Sequence, residues 1–128
     1  MAYYFNKTVA SSFDETIARV TEELKKEGFG ILSDIDVKAA LKKKLDVDFR
    51  KYRILGACNP PFAYKALQAE DKIGTMLPCN VVVQELDNGK VEVAAVDPVS
   101  SMQAVANVDL SEIALEIQEK LRKVINNI

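Results

Sequence analysis

Residues Ile54 to Asn80 read ILGACNPPFAYKALQAEDKIGTMLPCN, and the rest of the chain is organised around this stretch. It holds both cysteines, three of the 4 prolines and two of the 5 glycines. Each cysteine precedes an asparagine and lies within two residues of a proline, as Cys58-Asn59-Pro60 and Pro78-Cys79-Asn80. Tyr52 to Ala57 reads as a strand. Asn59 then stands at the N-cap position with Pro60 first in a helix to about Ala69. Gly74 and Pro78 bracket the approach to a further strand, Cys79 to Leu86.

Downstream, Asp87-Asn88-Gly89 is a hairpin turn and Val91 to Val96 the returning strand. A two-residue turn would set Glu85 against Glu92, so a three-residue loop with Gly89 in the left-handed region is preferred. Asp97-Pro98 ends the strand, and Val99 to Val108 reads as irregular chain or a short helical turn. Asp109 and Glu112 have capping spacing. Ile113, Ile117, Leu121, Val124 and Ile128 then mark one face of a final helix. Leu115 falls off that stripe and is available to a partner subunit.

Upstream, Tyr3 to Ala10 reads as a strand. Ser12 and Glu15 have capping-box spacing, followed by Phe13, Ile17, Val20 and Leu24 at helical period, with Gly28 as the stop. Phe29 to Ile35 is a second strand. Asp36 caps a short helix with Val37, Ala40, Leu41 and Leu45 on its buried side. Its Lys42, Lys43 and Lys44 read as a solvated face rather than an anion site. The order β-α-β-α-β-α-β-β-α defines one α+β domain over residues 1–128. Three strand-helix alternations followed by a hairpin suit an α+β or mixed-sheet two-layer domain of five strands. The single apolar stripes of the two long helices place both on one side of the sheet.

Composition bounds the function. Apolar residues make up 48% and charged residues 28% of 128, ordinary values for a globular domain. No apolar run is long enough to span a bilayer, and the first residues lack a signal-peptide pattern, which leads to an expected cytoplasmic location and no membrane partner. A net charge of −2 argues against nucleic acid as a partner. There is no histidine, which removes His-based triads, His-ligated metals and the usual near-neutral proton shuttle.

The chemistry therefore falls to the cysteines. Cys58 adjoins a helix start, where the dipole favours a thiolate, although Pro60 and Pro61 remove two N–H donors there. Buried apolar packing is the alternative for both Cys58 and Cys79. No metal is expected: two thiolates without CxxC spacing would need Asp71, Asp97 or a second subunit to complete a zinc site. Asn59 and Asn80 are either donors to a small ligand or turn and cap residues. Asp97 before Pro98 reads first as a turn former, with a general base or a thiol's partner as the alternatives. The tyrosines Tyr3, Tyr4, Tyr52 and Tyr64 read as half-buried packing residues, and Tyr64 stands near enough to line a pocket.

The elements Leu55-Gly56-Ala57-Cys58-Asn59-Pro60-Pro61 and Leu77-Pro78-Cys79-Asn80-Val81 resemble the signature of the bacterial and archaeal domain-of-unknown-function family numbered three hundred and two. The resemblance continues through Asp36-Val37, the run from Lys42 to Phe49, Ile73-Gly74 and Val96-Asp97-Pro98. It implies a TATA-binding-protein-like α+β fold, helices on one face of an antiparallel sheet, and a homodimer. The family carries no established activity, and the cofactor is unknown.

The residues leave three functions open. One is a binding or carrier domain using Cys58, Asn59, Cys79, Asn80, Asp97 and Tyr64 for a small ligand, thiol or sulfur species. Another is a thiol-dependent enzyme with Cys58 as nucleophile and Cys79 resolving, though without the histidine base. The third is a structural dimerisation module. Consecutive Val81, Val82 and Val83, and Ala94, Ala95 and Val96, leave both sheet faces apolar at one end, which a second subunit would cover. With strands three and four antiparallel, Cys58, Cys79 and Asp97 reach one rim together with the prolines. The two sulfurs are then expected near enough to share a ligand or form a disulfide.

Overall fold

The structure, a computed structural model, describes residues 2–128. Strand β1 (Tyr4–Val9) leads to helix α1 (Phe13–Lys26), strand β2 (Gly30–Asp36) and helix α2 (Val37–Leu45). Strand β3 (Tyr52–Cys58), helix α3 (Pro60–Ala69) and a 3-10 segment (Asp71–Met76) follow. The chain then forms strands β4 (Cys79–Glu85) and β5 (Val91–Val96), the short α4 (Pro98–Ser101) and α5 (Val108–Asn126).

The five strands lie in the order β1-β5-β4-β3-β2, every neighbouring pair antiparallel. Strands β2 to β5 form a meander and β1 adds at its far edge. The alternation makes the two edge strands, β1 and β2, parallel to each other. The connection between them must therefore cross the whole sheet, and α1 makes that crossing. Its start is fixed by Ser12, whose side chain accepts from the Glu15 backbone N–H at 3.2 Å, and its end by Gly28 at φ 84°.

Period-two burial defines the layers. Leu55 and Ala57 on β3, Cys79, Val81 and Val83 on β4, and Val91, Val93 and Ala95 on β5 all face inward. They meet Phe13, Val20 and Leu24 of α1 and Ile117, Leu121, Val124 and Ile125 of α5 in a single core. Both long helices therefore lie on the same face, as their single stripes require. Tyr52, Ile54, Val82, Ala94 and Val96 alternate to the other face and are only partly covered.

The β4–β5 turn follows from charge and chirality. Gln84 pairs with Glu92 and Glu85 with Val91, so no two glutamates stand opposite each other. Asp87, Asn88 and Gly89 form the three-residue loop, with Gly89 at φ 83°.

Three local expectations need correction. Helix α2 buries no residue, and Leu45 is exposed, because the helix packs mainly against β3 at a margin of the sheet. Its cap is as expected, Asp36 accepting from the Ala39 N–H at 3.0 Å. Helix α5 starts two residues earlier than the Asp109–Glu112 spacing indicates. Asn107 is its N-cap, accepting from the Asp109 N–H at 3.1 Å. Tyr3, Tyr4 and Tyr64 are exposed rather than half-buried; only Tyr52 fits that description.

Candidate functional site

Strand β3 ends at Cys58 and β4 begins at Cys79, with Ala57 opposite Cys79. Strand β5 returns to the same end: Val81 pairs with Ala95, and continuing that register sets Asp97 opposite Cys79. Pro60, Pro61, Pro78 and Pro98 gather at this rim, past the ends of the ladders, where a missing N–H breaks no sheet hydrogen bond.

Beside the rim, α3, the 3-10 segment and α5 enclose a cavity of about 280 Å³. Phe62, Ala63, Ala66 and Leu67 line it from α3, and Ile113, Ala114 and Ile117 from α5. Ala57, Cys58, Cys79, Leu77, Pro78, Pro98 and Met102 complete most of the wall from the sheet end and the loops. The volume arises from small residues on facing helices. Ala66 and Ala114 are both buried in the satellite core between α3 and α5, where larger side chains would fill the gap. Leu32 and Leu67 border the cavity while remaining exposed, which locates its mouth between the β2 edge and α3.

The cysteines reach this cavity but not each other. Both are free thiols, and they do not form a close pair. Ala57, not Cys58, is the residue opposite Cys79, so Cys58 stands one position past the last ladder pair. The expectation of a shared ligand or a disulfide is thereby corrected. Both residues border the cavity. Burial pushes the Cys79 thiol up to about 11 from the ordinary 9.0, with a smaller contribution from the Cys58 charge. At neutral pH Cys79 is thus a protonated, apolar wall residue.

Asn59 is buried but does not cap α3 with its side chain. A capping oxygen needs the N–H of the second or third helical residue, and Pro61 occupies the second position. The Asn59 amide instead donates to the Glu27 carbonyl at 3.1 Å, tying the β3–α3 junction to the end of α1.

Asp97 is also buried and fully engaged in structure. Its carboxylate accepts from the Val99 N–H at 3.0 Å, from Gln118 Nε2 at 3.0 Å and from Ser100 Oγ at 3.4 Å. It caps α4 and holds that turn against α5, and it is not part of the cavity wall.

Two further candidates lie elsewhere. Asn80 is exposed on the open face of the sheet, beside Tyr52, Val82 and Ala94. Tyr64 is exposed and outside the cavity lining, because its neighbours Ala63 and Ala66 occupy the inward face of α3. Among the described residues, no group of three or more Cys, Asp or Glu is placed to hold a metal ion. Among the described residues, no helix is long and apolar enough to cross a membrane.

Sequence reasoning missed the wall itself. Phe62, Ala66, Met102 and Ala114 carry no chemical signature. The only legible signal was the run of small residues on α3, Ala63 and Ala66, facing a helix that has Ala114 within its apolar stripe.

Fold and site together define a two-layer α+β domain with an apolar cavity at the proline-rich end of its sheet. The chain belongs to the DUF302 family, whose description is a domain of unknown function and whose model matches residues 5–128. It is similar to a solved structure described as the crystal structure of uncharacterized conserved protein DUF302 from Bacillus stearothermophilus. The two are 30% identical, cover 99% of this chain and 98% of that one, and superpose with a TM-score of 0.91. No curated protein matches.

Proposed function

We propose that this domain binds a small ligand in the cavity between α3, α5 and the sheet end, with Cys58 as the thiol that the ligand or a sulfur species meets. What supports the reading is the cavity's size and apolar wall. An engineered cavity of ~150 Å³ binds benzene, and this one is about 280 Å³. Ligand sites elsewhere are mostly apolar clefts of this kind with a few polar groups. Cys79 contributes shape, since its thiol stays protonated. A thiol enzyme with Cys79 as resolving residue has less support, because that thiol stays protonated and does not form a close pair with Cys58.

Native mass spectrometry of protein purified under mild conditions, together with titration of a neutral apolar dye, tests the proposal. The expected result is saturable binding of one dye per chain, weakened at least tenfold by Leu67→Trp at the exposed mouth. Binding that does not saturate, or that ignores this substitution, removes the cavity as the site.

The homodimer is likewise our proposal. The helices cover one face of the sheet, and Ile54, Val82, Ala94 and Val96 on the other lie only partly covered. A second copy of this chain would bury them. Light scattering at micromolar concentration is expected to give twice 14.2 kDa; a mass at the monomer value sinks the idea.

A further inference from the structure

The cavity's interior and its rim differ in electrostatic character. Within the wall, the Asn59 amide is committed to the Glu27 carbonyl, and Cys79 is a neutral thiol. Among the described residues, no charged side chain lines the cavity. A charge taken inside would lose its hydration without compensation.

The surroundings of Phe62, outside the lining, are different. Phe62 forms part of the wall from α3. Lys65 Nζ lies 5.4 Å and Lys120 Nζ 5.9 Å from the centre of its ring. These two ammonium groups, one from α3 and one from α5, therefore sit about one aromatic ring away from the apolar volume. Among the described residues neither is ion-paired. Helix α3 contains no acidic residue, and Glu116 and Glu119, which share α5 with Lys120, are exposed and unpaired with it. The chain as a whole has net charge −2, so this convergence is not a consequence of general basicity.

We propose that the ligand of this cavity is a small amphipathic anion, with a hydrocarbon body inside and a carboxylate head at Lys65 and Lys120. This rests on the cavity being the binding site. The 280 Å³ volume accommodates roughly ten to twelve heavy atoms by proportion with benzene in ~150 Å³. A medium-chain fatty acid or an aromatic acid of two fused rings has that size. The apolar body supplies most of the affinity, and the two cations select the charged end.

Octanoate and 1-octanol, nearly equal in length and differing in charge, separate the possibilities. Each is titrated against a bound neutral dye, on the wild-type protein and on the Lys65→Met/Lys120→Met variant. Both substitutions keep the apolar stem and remove the charge at positions outside the core. The expected result is at least a fivefold preference for octanoate in the wild type. In the variant the preference disappears, and in the wild type added salt narrows it. Octanol binding as tightly as octanoate, or a preference that survives the double substitution, overturns the assignment of the head group while leaving the cavity as the site. Failure of both compounds and of the dye to bind removes the cavity reading itself.

Discussion

The side-chain amide of Asn59 donates to the main-chain carbonyl of Glu27, 32 positions earlier, across 3.1 Å. This one hydrogen bond joins the exit of β3, where the cavity begins, to the last turn of α1. Gly28 follows Glu27 in the left-handed region, and a Cβ there would come within 3.1 Å of the same Asn59 nitrogen. The contact therefore uses both an amide donor and a glycine.

Substituting Asn59→Asp removes the donor and aims a carboxylate at a carbonyl in a buried position. A loss of about 1–3 kcal/mol in unfolding free energy is expected, with Asn59→Ala at the lower end. Urea denaturation measures it. Unchanged midpoints for both variants would mean that this junction is held by packing alone.

Gly56 is required for a different reason. A Cβ at this position would run into Ser33 Oγ and lie 2.8 Å from Pro78 Cγ. Ser33 can be relieved by mutation, but Pro78 is part of a ring at the cavity rim. Gly56→Ala is expected to cost about 1–3 kcal/mol, as overpacking does. Adding Ser33→Gly should recover only part of it, and full recovery in thermal melts would show that Pro78 yields.

The Cys79 thiol, raised from 9.0 to about 11 by burial, links stability to alkaline pH. Below pH 9 both folded and unfolded chains keep the proton, and the folded state has its full stability. Between about 9 and 11 the unfolded chain releases a proton that the folded chain retains, so stability falls as pH rises. The shift corresponds to roughly 2–3 kcal/mol at about 1.4 kcal/mol per pKa unit. Across that window Cys79→Ala should lose less stability than the wild type. Parallel denaturation curves from pH 8.5 to 11 would contradict this.

The same burial orders the thiols by reactivity. Iodoacetamide at pH 8 is expected to modify Cys58, which is partly exposed, and to leave Cys79 unmodified in the folded protein. Peptide mapping reads the outcome, and equal labelling would show that the cavity opens on the timescale of the reaction.

Acid weakens one exposed cross-strand pair. Arg53 grips Asp34 with two hydrogen bonds, and these, more than simple charge attraction, hold the Asp34 carboxyl below its ordinary 3.8. The stabilisation is complete above that value and is lost as pH falls through the lower, folded one. Asp34 is 37% exposed, so solvent screening limits the effect to about 1 kcal/mol at most. Arg53→Met should flatten the acid limb of stability below pH 4; an unaltered limb would assign acid sensitivity to other carboxylates.

Most of the fold could be read from the chain because its signals are local and periodic. The stripe Phe13, Ile17, Val20, Leu24 fixes a helix face at 3.6-residue spacing, and the alternation through Val91 to Val96 fixes a strand face at two. The Asp87-Asn88-Gly89 turn was legible in full. Avoiding Glu85 against Glu92 and placing Gly89 at positive φ both select the observed register. The antiparallel return from Cys58 to Cys79 was legible too, since prolines at both ends of the excursion mark where the ladders stop.

The site was less legible, because it depends on which side of a strand each residue leaves. A register with Ala57 opposite Cys79 leaves Cys58 one position past the ladder pair, and a shift of one residue would have set the two cysteines opposite each other. Asn59 and Asp97 were singled out as polar residues at the right end, yet the tertiary structure commits both to internal hydrogen bonds. The cavity between Ala66 and Ala114 had no motif to announce it, for it is a volume left between two helices whose approach only the packed core sets. The sequence by itself determined the elements, the hairpin register and the proline-marked rim, through backbone sterics and hydrophobic period. Tertiary packing alone decided which of the rim's polar and sulfur groups face a cavity, which face the protein and which face solvent.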